Sequence, residues 1–155
     1  MKLSSSLAIA VLTTTCLLAG VAQAEDAPSK GEQALKYRKS LYQVMAWNFG
    51  PMGAMAQGKA PYDAAEFARR ASRVALIAPM LGEGFPAETR GLPHSELKPA
   101  MWANRADFDA KMKDLVDRSA TLATVAKSGD FAQSKAAFFD TANTCKACHE
   151  KYKND

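Results

Sequence analysis

Apolar residues recur at steps of three and four along most of this chain, and nowhere do they alternate long enough to argue for a sheet. Four amphipathic helices follow from that period. The first runs from about Gly31 to Phe49, with Ala34, Tyr37, Leu41, Val44, Met45 and Trp47–Phe49 as its apolar positions, and Gly50-Pro51 is expected to interrupt it. The second opens at Pro61, a favourable first-turn residue, and buries Ala64, Phe67, Ala68, Ala71, Val74, Ala75, Ala78 and Leu81. The third begins near Asn104, an N-cap residue type with Asp107 three positions on, and turns Phe108, Met112, Leu115, Val116, Leu122 and Val125 inward. Ser128-Gly129-Asp130 stops it and starts the fourth, which runs from about Phe131 to Tyr152 with Phe138, Phe139, Ala142, Cys145, Cys148 and Tyr152 inward. Short connections between helices of this length predict an all-α, antiparallel, up-down-up-down four-helix bundle. One connection breaks the rule. Gly82 to Ala103 is a loop of some twenty residues rich in Gly and Pro, and loops this long in small domains are usually functional.

The first 24 residues stand apart from this pattern. Lys2 is followed by an apolar run from Leu7 to Gly20, and Ala22-Gln23-Ala24 is a small-x-small cleavage site, the signature of an export signal cut after Ala24. The run is too short to span a bilayer as a helix. Residues 25–155 are then one bundle domain. The formal charge of +4 falls to +3 once Lys2 is removed, and the charges are interspersed, so nothing points to nucleic acid.

Export also sharpens the cysteine count. Of three cysteines, Cys16 leaves with the signal, and the remaining pair stands in the stretch Cys145-Lys146-Ala147-Cys148-His149. This is the C-x-x-C-H pattern of c-type haem attachment. On a helix, positions i, i+3 and i+4 share a face, so both sulfurs reach one edge of a porphyrin while the histidine stands under its iron. Three other readings compete. A disulfide this local closes a tiny loop and stabilises little. A redox dithiol would want a βαβ context. A zinc site would want a fourth ligand, and the only other histidine, His94, lies in the long loop, where a surface role is the simpler one.

A C-x-x-C-H motif on the last helix of a bundle resembles the cytochrome c′ family. Further stretches support the resemblance: Ala34-Leu35-Lys36-Tyr37-Arg38 and Val44-Met45-Ala46-Trp47-Asn48-Phe49-Gly50 in the first helix, Lys98-Pro99-Ala100-Met101-Trp102 before the third, and Glu150-Lys151-Tyr152-Lys153 after the motif. The resemblance implies one haem c per chain, held through Cys145 and Cys148, with His149 as the axial iron ligand. It implies haem-edge contacts from Arg38, from Lys39, where the family usually has Gln, and from Glu96. It places Tyr42 over the distal iron face as a bulky lid, with Met45 lining the same pocket or simply packing the core. Lys153, one turn after His149, matches a basic position near the proximal face.

These residues together imply a periplasmic, five-coordinate, high-spin haem protein that binds nitric oxide or carbon monoxide without turnover, in nitric oxide tolerance or electron transfer. The alternative is a low-spin electron carrier with a distal methionine. A peroxidase would need a distal acid–base group, and the first helix offers only Tyr42. Lys146, Lys151 and Lys153 form a rim that could attract an acidic redox partner. The resemblance also implies a homodimer through the first two helices, where Ala54, Ala56, Ala64 and Ala68 permit close contact.

Overall fold

The computed structural model describes residues 27–154, so the export signal and its cleavage site lie outside the described residues. Among them are five α-helices: α1 (Lys30–Ala56), α2 (Ala64–Leu81), the single turn α3 (Ala100–Ala103), α4 (Arg105–Ala126) and α5 (Phe131–Tyr152). The four long ones form the expected bundle. Their shared core holds Met52, Phe67, Val74, Leu81, Phe108, Leu122, Phe138 and Tyr152, all nearly inaccessible to solvent. The helices do not meet equally. α2 on α4, α4 on α5 and α1 on α2 are the broad interfaces, whereas α1 touches α5 sparingly. No helix among the described residues is long and apolar enough to cross a membrane.

Helix starts follow local chemistry. Ser29 and Glu32 form a reciprocal capping box at α1, with bonds of 2.8 and 3.2 Å. Asp130 caps α5 by accepting from the Gln133 amide at 2.8 Å, after Gly129 reverses the chain at φ +75°. At α2 the cap is Asp63, accepting from the Glu66 amide at 2.9 Å, so the helix starts beyond Pro61. Asn104 does precede α4, but its side chain makes no cap. Its amide donates back to the Ala100 carbonyl at 2.9 Å and closes α3 instead.

Two expectations for α1 are overturned. Gly50-Pro51 does not end the helix, which continues to Ala56. A proline inside a helix removes the bond to the carbonyl four residues back. That carbonyl belongs to Trp47, and Arg70 of α2 donates to it at 2.8 Å, replacing the lost partner. The apolar face is also two faces. Leu35, Met45 and Met52 are buried, whereas Tyr37, Val44 and Trp47 point outward, Trp47 with 73% of its surface exposed. Leu76, 74% exposed, and Met80 continue this outer stripe on α2. Ala56 is fully buried in the core, so it offers nothing to a partner subunit. Phe139, expected inward, is also exposed, while its neighbour Phe138 stacks on Phe49 at 4.4 Å between centroids.

The long loop is ordered by two 3₁₀ turns, Gly82–Gly84 and Ala87–Thr89, and by α3. If Arg70 replaces the bond that Pro51 removes, Arg70→Ala should lower stability by about 1 kcal/mol. The expected reading is a lower urea midpoint with an unchanged m-value.

Candidate functional site

α5 carries its motif without a break in the helix, so Cys145, Cys148 and His149 fall on one side of it. Both cysteines are free, half-buried and packed against the core cluster, and burial pushes both thiols up from their ordinary value. His149 is the exposed member. Partial desolvation, and then the nearby Lys153 charge, lower the pKa of its imidazole and favour the neutral form. Among the described residues no three His, Cys, Asp or Glu side chains gather to hold a metal ion, which removes support from the zinc reading.

α1 presents Arg38, Tyr42 and Met45 across from the motif. Burial raises the Tyr42 hydroxyl well above the ordinary phenol, Cys148 and Cys145 add to the rise, and Arg38 opposes it. Tyr42 therefore stays neutral, within electrostatic reach of both cysteines and Arg38. Met45 is buried in the core cluster. Just beyond it, a cleft of about 450 Å³ separates α1 from α5, walled mainly by Phe49, Gly53, Phe138, Phe139 and Ala142. The sparing α1–α5 contact thus forms a crevice with this apolar cleft at one end, while Tyr42 of α1 and Cys145 and Cys148 of α5 lie beyond the cleft's lining, packed against the core cluster.

Arg38 is the surprising member. It is only 3% exposed. Its guanidinium donates to the Gly84 carbonyl at 3.2 Å, and to the Ser95 carbonyl and hydroxyl at 3.0 and 2.8 Å. It also lies 4.6 Å from the centre of the Phe85 ring. No carboxylate lies within 4 Å of it among the described residues, and Glu96 acts on it only from a distance. A buried, permanently charged group with neutral partners only is expensive.

The remaining expected residues fall nearby in different roles. Glu96 is exposed and pairs with Lys153 at 3.6 Å. Lys39 is exposed, as is His94, which adopts φ 59°. Loop residues 96–98 are laced to the end of α5: the Lys98 amide donates to the Tyr152 carbonyl at 2.8 Å and the Asn154 amide to the Glu96 carbonyl at 2.9 Å. These bonds satisfy carbonyl and amide groups that a helix end leaves over. Lys146 and Lys151 are also paired, with Glu150 at 3.7 Å and Asp107 at 3.0 Å. The sequence reading missed Gly84, Phe85 and Ser95 as partners of Arg38, and Asp107 as the acceptor for Tyr152 and Lys151. A glycine pair in the long loop was the available signal. A Cβ on Gly84 would lie 2.3 Å from the Arg38 Cβ, so only glycine lets the loop approach α1 there.

The family model for Cytochrome C' matches residues 33–153. The chain belongs to the cytochrome c′ family. Cytochrome c′ of Rubrivivax gelatinosus is 38% identical over 124 residues, covering 80% of this chain and 96% of that protein. The solved cytochrome c prime of Shewanella frigidimarina superposes with a TM-score of 0.78 at 41% identity, covering 83% of this chain and all of that one. A mutant of cytochrome c prime from Alcaligenes xylosoxidans, solved as its nitric oxide complex, superposes at 0.75 with 32% identity over 83% of this chain and 99% of its own.

Cytochromes c′ carry covalent haem c, and the crevice fits that group. Two free thiols stand at attachment spacing against the apolar core cluster, and Arg38 holds a buried positive charge with donors left over, which a haem propionate would match. Gly84→Ala should displace Arg38 and cost about 1–3 kcal/mol in a denaturant titration, because the clash is with the arginine stem at the backbone rather than its flexible end. A pH dependence follows from Asp107. Hydrogen bonds from Tyr152 and then Lys151 lower its pKa from the ordinary carboxylate value. A depressed carboxylate stabilises the fold above its unfolded pKa, and that contribution is lost as pH falls through the lowered value. The urea midpoint should fall in acid, and Asp107→Asn should flatten that limb.

Proposed function

We propose that this cytochrome c′ acts in the periplasm as a gas-binding haem protein, with five-coordinate, high-spin iron and no catalytic turnover. Cys145 and Cys148 hold the haem by thioether bonds, and His149 is the axial ligand. Arg38 neutralises a propionate at the buried edge, and Lys153 supplies positive charge near the histidine. When bound, the haem supplies an iron with one position free for a small diatomic ligand. Tyr42 carries the reading: it is a neutral, half-buried phenol packed against the same core cluster as the cysteines, and no methionine occupies its place. Its ring excludes water and anions from that side and must turn aside for nitric oxide or carbon monoxide. The nitric oxide complex of the Alcaligenes xylosoxidans relative supports nitric oxide as the ligand. The low-spin carrier reading is not favoured, since Met45 packs in the core.

The outer stripe of Tyr37, Val44, Trp47, Leu76 and Met80 supports a homodimer through α1 and α2. Trp47→Glu with Leu76→Glu should yield a monomer in sedimentation equilibrium, with helicity unchanged.

The deciding experiment is the optical spectrum of purified protein, oxidised and dithionite-reduced, before and after each gas. A broad reduced Soret band that shifts with carbon monoxide and nitric oxide is expected. Sharp, gas-insensitive α and β bands would mean a second protein ligand and sink the proposal. Tyr42→Ala should raise the carbon monoxide association rate about fivefold, the effect of sparing the lid a rotamer change of about 1 kcal/mol.

A further inference from the structure

Outside the haem crevice, one concave surface joins α1 to the long loop. It is a groove of about 440 Å³ with Leu35, Leu92 and Pro93 in its walls and Lys36, Lys39 and His94 around it. We propose that this groove is the docking surface for the acidic face of an electron-transfer protein. The proposal rests on the reading of this chain as a haem protein and names the side from which a partner reaches it.

Charge separates this surface from the C-terminal rim. Lys146, Lys151 and Lys153 each have a carboxylate within 4 Å, whereas Lys36 and Lys39 pair with none among the described residues. These two lysines are three residues apart and exposed on one face of α1. The one acid in the groove is Glu32, and it is already engaged. Its carboxylate accepts from the Ser29 amide at the start of α1, and its pKa is lowered chiefly by the Ser29 side chain. Glu32 stays ionised, so Lys36 and Lys39 exceed it by one positive charge around an apolar floor, an arrangement that steers and then seats an acidic protein surface.

The loop wall is built rather than incidental. His94 and Glu96 adopt φ 59° and 54°, left-handed values that are strained for side chains other than glycine. Between them Ser95 is held twice by Arg38, and the Glu96 carbonyl accepts from the Asn154 amide. That fixes His94 at the groove within one residue of the Arg38 anchor. Lys39 follows Arg38 directly in α1. A partner seated here lies against the same segments that hold Arg38, and so near the buried haem edge. The exchange served is a single electron: the partner is oxidised by one electron as ferric iron is reduced to ferrous, or the reverse.

The test uses the holoprotein with flavodoxin as an acidic one-electron carrier, at low ionic strength. Zero-length carbodiimide coupling followed by peptide mapping should place the cross-links at Lys36 and Lys39. Cross-links confined to Lys146, Lys151 and Lys153, or spread evenly over all lysines, overturn the proposal. In calorimetric titration, the double reversal Lys36→Glu/Lys39→Glu should weaken flavodoxin binding about tenfold, and Lys146→Glu less than twofold. Equal weakening by both, or no change in either, also overturns it. Neither readout depends on the spin state of the iron, so failure here leaves the gas-binding reading standing, and a low-spin spectrum leaves this one standing.

Discussion

A guanidinium cannot shed its charge at any ordinary pH, and Arg38 is almost wholly buried. Most of what is distinctive in this molecule follows from accommodating it. The long loop turns back on α1 so that two of its carbonyls and one hydroxyl can accept from the arginine, and Phe85 covers its face. Gly84 is bare so that the backbone can come that close. These partners are all neutral, and no carboxylate lies within 4 Å of the guanidinium among the described residues. The same arginine thus organises the path of the loop.

The loop extends this influence to the far side of the bundle. Ser95 is tied to α1, and residues 96 to 98 are tied to the last turn of α5. Four residues of loop therefore bridge two neighbouring helices that touch each other sparingly. Tyr152 completes the brace from within, edge-on to Phe108 and bonded to Asp107.

How much of this could be read along the chain depends on how local each cause is. The bundle, the start of α5 at Asp130 and its end at Tyr152 follow from the helical period and from caps made by neighbouring residues. The C-x-x-C-H spacing is local too, which is why the cofactor was legible from five letters. Pro51 was misread because its replacement partner, Arg70, is supplied by another helix. Tyr37, Val44 and Trp47 were misread because periodicity marks apolar positions without saying which of two neighbours covers them. The Arg38 clasp was invisible, since it depends on the path of a loop whose sequence has no period at all.

The crevice joins the two ends of the chain: Tyr42 and Cys148 are more than a hundred residues apart, with α2, α4 and the long loop between them. Closing so large a ring costs more entropy than closing a local one, though the cost grows only with the logarithm of its length. The thioether cysteines, by contrast, lie on a helix that needs no distant partner to present them. A porphyrin already fixed to α5 would then act as a template, presenting α1 with an apolar face and an anion at the one place where Arg38 requires them.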